Sequence, residues 1–241
     1  MSVRWMTGFL DTPSREAEQF WQVVTGSELS ARRGPGGAFA TLLPAGGDAY
    51  LRVQVVGDGP ARAHLDLHVE QVPAQARRAV ELGASVLHDE DDLVVLRSPA
   101  GLLFCLVAWA GEAVRPAGGR SLVDQMCLDV PVGEFAAEAD FWAALTGWER
   151  RPGSRPEFDF LVRPERMPLR LLLQRVAGPA GMHLDLACWD RAVEVEWHVE
   201  LGARVVAVHE RWTTLRDPAG RAYCVTDRPV PSSLPREVVA E

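Results

Sequence analysis

The sequence lacks the features of a membrane, secreted or nucleic-acid-binding protein. None of its apolar runs approaches the roughly 20 residues that a membrane-spanning helix needs. The N-terminus has no basic segment followed by an apolar run and a small-residue cleavage site. All basic residues are arginine and the net charge is −8, which argues against nucleic acid because phosphate binding needs a basic surface. We therefore expect a cytoplasmic protein with neither membranes nor nucleic acids as partners.

Cysteine is also scarce, and its spacing has no metal-binding pattern. The four cysteines form no Cys-x-x-Cys pair. Without a secretion signal we expect reduced thiols, and free cysteine is usually a small buried apolar residue. The glycine-rich segment 34–37 contains Pro35 and lacks the strand–turn–helix setting of a phosphate-binding loop. The sequence therefore predicts neither a disulfide framework nor a nucleotide-binding loop.

What the sequence does contain is a tandem repeat. The tetrapeptide His-Leu-Asp-Leu begins at residue 64 and again at residue 183, 119 positions later. Two more blocks recur in that register, at 81–84 with 200–203 and at 96–101 with 215–220. In a chain of 241 residues this repeat predicts two domains. We place them at residues 1–113 and 121–228, with a Pro/Gly-containing linker at 114–120 and an irregular tail at 229–241.

The repeated tetrapeptide has a pattern that points to a site. On a strand, His183 and Asp185 share one face, and Leu184 and Leu186 share the other. The leucines suit a face packed under helices, so the polar pair would point to an open face where a ligand could bind. The alternative is that both polar groups are satisfied locally and have only a structural role.

Several segments of the second half, taken in order, resemble the glyoxalase-like branch of the vicinal oxygen chelate superfamily. That superfamily includes glyoxalase, bleomycin-resistance and extradiol dioxygenase proteins, and the first half shows the same signature more loosely. The segments are Phe141-Trp142, 146–148, 172–176, 183–186, 217–220 and 223–225. The resemblance implies an α+β fold of tandem paired βαβββ modules, which form two cupped eight-stranded mixed sheets with helices on the convex side.

The resemblance also implies where a divalent metal would bind inside a cup. In the second half the ligand positions fall on Gln125, Gln174, His183 and Cys224. The corresponding residues of the first half are Thr7, Gln54, His64 and Cys105. The family's enzymes usually show His or Gln, then Glu, His and Glu, so both glutamates are missing here. Mg²⁺ and Mn²⁺ prefer anionic oxygen ligands, and non-haem Fe(II) needs two histidines and a carboxylate. We therefore expect no intact catalytic metal site, and a divalent metal is the alternative that is left open as a cofactor.

The leading hypothesis is a small-molecule-binding protein of the glyoxalase/bleomycin-resistance type. The ligand would be partly apolar and would lie in the second cup, facing His183, Asp185, Gln125 and Gln174. One alternative is a metal-dependent lyase, isomerase or dioxygenase with the atypical Gln/Gln/His/Cys ligand set, so enzymatic activity is left open. A second alternative is a pseudo-enzyme that acts in protein association, for example as a homodimer.

Overall fold

Each half of the chain folds into one eight-stranded sheet. The computed structural model describes residues 3–57, 59–90 and 92–230. The first half comprises β1 Val3–Thr12, α1 Glu18–Thr25, β2 Glu28–Leu29, β3 Phe39–Leu43, β4 Leu51–Val55, β5 Arg62–Val69, α2 Val72–Glu81, β6 Ser85–Glu90, β7 Leu93–Arg97 and β8 Leu103–Ala108. The second half comprises β9 Ser121–Pro131, α3 Phe135–Thr146, β10 Arg150–Pro152, β11 Phe158–Leu161, β12 Arg170–Val176, β13 Gly181–Cys188, α4 Arg191–Glu200, β14 Arg204–Val208, β15 Trp212–Arg216 and β16 Ala222–Thr226.

The two sheets have the same strand order. It is β2-β3-β4-β1-β5-β8-β7-β6 in the first sheet and β10-β11-β12-β9-β13-β16-β15-β14 in the second. The pairs β1/β4, β5/β8, β9/β12 and β13/β16 are parallel, and the remaining pairs are antiparallel. Each sheet thus joins two βαβββ modules through one central antiparallel pair, which confirms the predicted fold. The short strands β2 and β10 show no alternation in the sequence, so only the family resemblance implies them.

Local sequence signals define the first helix of each half. Phe20, Trp21 and Val24 form the buried stripe of α1, as expected for apolar residues three and four positions apart. The helix ends at Gly26 and α3 ends at Gly147, both in the left-handed conformation that glycine adopts without strain. No helix among the described residues is long and apolar enough to cross a membrane.

The sheets meet through the face that carries the repeated leucines. Leu65, Leu67, Leu184 and Leu186 are buried, and β5 contacts β13. One continuous hydrophobic cluster includes residues from both halves. In each sheet the repeated histidine and aspartate therefore lie on the face opposite to these leucines.

Helices from each half contact the other half of the chain. Trp21 of α1 contacts Tyr223 of β16 edge-on, with ring centroids 5.3 Å apart. Trp142 of α3 contacts Phe104 of β8 in the same way at 5.1 Å. Gln75 Nε2 of α2 also donates to the carbonyl oxygen of Leu145, at 2.9 Å. The two sheets therefore share one hydrophobic core.

A buried ion pair ties the halves together. Arg221 Nη1 donates to Asp217 Oδ2 at 2.7 Å, and Trp21 Nε1 donates to the same oxygen at 2.8 Å. The remaining nitrogens of Arg221 donate to the backbone carbonyls of Asp11 and Arg62 in the first half. The predicted irregular tail lies outside the described residues from position 231 onward. Val230, at its start, is buried.

Candidate functional site in the second cup

A histidine held between two carboxylates lies at the floor of the second cup. Strands β9 and β13 pair His183 with Cys127 and Gly181 with Asp129. This register places His183 Nδ1 3.0 Å from Asp129 Oδ2 and His183 Nε2 3.3 Å from Asp185 Oδ1. Both His183 and Asp185 are buried. The strand pairing thus builds an Asp–His–Asp row on the inner face of the cup.

The first cup has the same row. His64 Nδ1 lies 2.9 Å from Asp11 Oδ2, and His64 Nε2 lies 3.5 Å from Asp66 Oδ1. Asp11 and Asp129 were not among the predicted site residues. The available signal was the dipeptide Leu-Asp at 10–11 and 128–129, which recurs at an offset of 118 instead of 119. Only the strand register shows that these aspartates reach the repeated histidines.

The two carboxylates control the protonation of His183. Burial alone would lower the pKa of His183, but the carboxylates of Asp129 and Asp185 raise that pKa well above its ordinary value. Burial raises the pKa of Asp185, but His183 and Arg228 outweigh it and hold that pKa below its ordinary value. The pair is therefore an imidazolium and a carboxylate near neutral pH.

The predicted site residues of the second half all line one cavity. Gln125 Nε2 donates to Asp185 Oδ2 at 2.5 Å, and Gln174 Oε1 accepts from the Cys127 thiol at 3.6 Å. Cys224 Sγ lies 3.6 Å from Thr214 Oγ1. The cavity has a volume of about 680 Å³, and Gln125, Gln174, His183, Asp185 and Cys224 contribute to its lining.

The corresponding face of the first cup is covered by an aromatic ring. Phe9 stacks on His64 with ring centroids 4.4 Å apart and an interplanar angle of 17°. The guanidinium carbon of Arg52 lies 5.6 Å from the Phe9 centroid. Of the predicted first-half residues, Thr7 contacts His68 Nε2 at 2.8 Å, Gln54 pairs with Asp11 and Cys105 lies beside His64 and Asp66.

Small or apolar residues replace this cover in the second cup. Phe9 lies opposite His64, whereas Cys127 lies opposite His183. The next strand carries Arg52 beside Phe9 but Leu172 beside Cys127. The second cup therefore lacks the ring and guanidinium that cover its counterpart, and this substitution leaves space over His183.

Aromatic residues line part of the cavity. Phe158 and Trp212 contact each other edge-on at 5.7 Å, and Phe160 and Leu172 add further apolar surface. Because these side chains come from β11, β12 and β15, they lie on both sides of the row formed by Asp129, His183 and Asp185. The cavity therefore combines an apolar wall with a charged floor.

Each cup contains three side chains that could approach one cation. The groups are His64, Asp66 and Cys105, and Cys127, His183 and Asp185; within each group the donor atoms lie within 4.8 Å of one another. In the second group burial raises the pKa of Cys127 to about 12, so its thiol is protonated. Both His183 nitrogens face carboxylates. These protonated donors fit a divalent cation poorly, because metals bind thiolate and neutral imidazole.

Comparison with known proteins relates both halves to one family. Residues 9–107 and 125–226 match the family profile of a glyoxalase-like domain. No curated protein is significantly similar to the sequence. Solved structures that share the fold include 2,2',3-trihydroxybiphenyl 1,2-dioxygenase from Sphingomonas wittichii strain RW1, which is 14% identical with a TM-score of 0.60 and coverage of 98% of this chain and 99% of that one.

Two further structures give similar values. A catechol 2,3-dioxygenase is 13% identical with a TM-score of 0.58, covering 98% of this chain and 92% of that one. A variant of 4-hydroxymandelate synthase from Streptomyces coelicolor is 17% identical with a TM-score of 0.57, covering 94% of this chain and 93% of that one. At these identities the likeness extends to the fold alone.

Proposed function

The chain belongs to the glyoxalase-like domain family, and we propose that its second cup binds a small, partly apolar molecule without an intact catalytic metal site. The observation that carries this proposal is the cavity of about 680 Å³ over His183. Small-molecule sites are typically concave, about 300–1,000 Å³ in volume, and lined by apolar side chains with a few convergent polar groups. The second cup has this composition.

The floor of the cavity is a charged pair. Asp185 Oδ1 is buried and lies 3.3 Å from His183 Nε2. A ligand in the cavity would therefore lie over the imidazolium of His183 and the carboxylate of Asp185, with apolar side chains around them.

The absence of a catalytic metal site is part of the proposal. The two positions where the family's enzymes usually carry glutamate hold Gln174 and Cys224. Gln174 contacts a neutral thiol, and burial raises the pKa of Cys224. The four family positions thus supply no anionic oxygen, the ligand that hard divalent cations prefer, and the nearby Asp129 and Asp185 both contact His183.

The second candidate function is a metal-dependent lyase, isomerase or dioxygenase. The grouping of Cys127, His183 and Asp185 favours it, because sulfur, imidazole and carboxylate together are ligands that Zn²⁺ accepts. This set differs from the predicted Gln/Gln/His/Cys set, since the Gln125 amide is hydrogen-bonded to Asp185.

Metal analysis separates the two candidates. We expect protein purified without added metal to contain well under one equivalent of any transition metal, and His183→Ala to leave that content unchanged. Inductively coupled plasma mass spectrometry measures the metal content of the protein. His64→Ala, in the covered first cup, is the matched control. One equivalent of metal that is lost in His183→Ala and kept in His64→Ala would establish the metal-dependent alternative.

Thermal denaturation in the presence of candidate ligands tests binding directly. A ligand present at a hundred times its dissociation constant stabilises the folded state by about 2.7 kcal/mol. We expect planar, partly apolar compounds to raise the melting temperature in proportion to the logarithm of their concentration. A broad set of such compounds that leaves the melting temperature unchanged would contradict the proposal.

A further inference from the structure

The second cup is rich in positive charge although the protein is acidic. The chain carries a net charge of −8, yet four arginines contribute to the lining of the cavity: Arg155, Arg170, Arg211 and Arg228. Three carboxylates line the same cavity: Asp185, Glu210 and Asp227. The lining thus holds one more arginine than carboxylates, and the His183 imidazolium is already held between Asp129 and Asp185.

Three of the four arginines already have acidic partners. Arg155 pairs with Glu210, and Arg211 Nε lies 3.7 Å from Asp227 Oδ2. Arg228 pairs with the buried Asp124 and approaches Asp185 Oδ2 at 4.0 Å. Their charges are thus balanced within the protein.

Arg170 differs from them. Within residues 3–57, 59–90 and 92–230, no carboxylate oxygen lies within 4.0 Å of its guanidinium. The side chain is half-buried, with its guanidinium carbon 5.6 Å from the Phe160 ring centroid. Burial and the nearby Arg228 both lower the pKa of Arg170, so its charge is held in an unfavourable environment. An anion bound beside Arg170 in the cavity would stabilise the charge of its guanidinium.

We propose that the second cup takes a planar aromatic carboxylate, whose anionic group pairs with Arg170 and whose ring packs on Phe158, Phe160 and Trp212. The guanidinium group can bind a carboxylate through two parallel hydrogen bonds, and aromatic side chains supply apolar contact to a planar ring. This inference rests on the proposed binding function and specifies the ligand's charge. The net negative charge of the whole chain, taken alone, would suggest a cationic ligand.

Three ligands with the same naphthalene ring and different charges test the charge preference. Isothermal titration calorimetry at neutral pH would compare 1-naphthoate, 1-naphthamide and 1-naphthylmethylamine on the unaltered chain. We expect the carboxylate to bind about tenfold or more tighter than the neutral amide, since a hydrogen bond to a charged group contributes about 1.5–3 kcal/mol, and the cationic amine to bind weakest. This comparison needs no variant, so it does not depend on the folding of one.

Two variants then assign the preference to one residue. Arg170→Gln should remove most of the difference between naphthoate and naphthamide. Arg211→Gln, which alters an exposed and already paired arginine of the same lining, should preserve it within about threefold. Circular dichroism melting confirms that each variant is folded, and Arg170→Lys should restore part of the preference.

The outcomes distinguish the two levels of the proposal. Equal affinity for naphthoate and naphthamide would overturn the carboxylate inference while leaving small-molecule binding in place. A charge preference that survives Arg170→Gln would overturn the role of Arg170. Saturable binding of none of the three compounds would overturn the aromatic carboxylate inference, and an unchanged melting temperature across the broad compound set would in addition overturn the binding function itself.

Discussion

Replacing Cys127 by phenylalanine should abolish ligand binding in the second cup. The first cup shows the expected geometry, because Phe9 occupies the matching position and stacks on its histidine at 4.4 Å. A ring at position 127 would extend into the space over His183 that the ligand needs. Calorimetry with 1-naphthoate should show no saturable binding, and 1-naphthamide should behave the same way.

Two other variants control for nonspecific damage. Cys127→Ser keeps the side chain small and should leave the affinity for 1-naphthoate within a few-fold. Phe9→Cys removes the cover from His64 and should leave binding in the second cup intact. Overpacking a core typically costs about 1–3 kcal/mol, so the melting temperature of Cys127→Phe must also be measured. Undiminished binding by a folded Cys127→Phe protein would show that the ligand lies elsewhere.

Replacing Asp217 by alanine should cause the largest loss of stability of any single change considered. It leaves Arg221, which is 2% exposed, without its carboxylate, and it removes the acceptor of Trp21 Nε1. Breaking a buried ion pair by removing one partner costs about 3–5 kcal/mol. Urea denaturation followed by tryptophan fluorescence measures the change in the free energy of unfolding.

Asp227→Ala provides the matched control. Asp227 also pairs with an arginine, at 2.9 Å from Arg191, but its side chain is 33% exposed. Exposed or half-exposed pairs contribute about 0–1 kcal/mol, so this variant should be nearly as stable as the unaltered chain. If the two variants lost equal stability, the buried link between the halves would not have the importance assigned to it.

Much of the fold could be predicted from the sequence because its signals are local and occur twice. The alternation in His183, Leu184 and Asp185 separates the two faces of β13 without reference to any other strand. The left-handed glycines Gly26 and Gly147 end α1 and α3, and glycine at such a position is a local signal. The packing of Trp21 on Tyr223 could not be predicted, because helical periodicity shows which side is buried but not which sheet covers it.

The site was predicted only in part for a similar reason. Gln125, Gln174, His183 and Asp185 could be selected because the family pattern and strand alternation place them on one face. Asp129 lies on an adjacent strand, and only the register of β9 against β13 brings it to His183. The difference between Phe9 and Cys127 is visible in the sequence, but its effect depends on the stacking geometry of the first cup.

Cys127, in place of the ring that covers the first cup, makes the second cup the ligand site. A crystal structure of the protein with 1-naphthoate tests it most directly. We predict the ring over His183, the carboxylate in hydrogen-bond contact with Arg170, and Phe9 still stacked on His64. Naphthoate bound outside the second cup, or a metal ion held there by Cys127, His183 and Asp185, would contradict the claim.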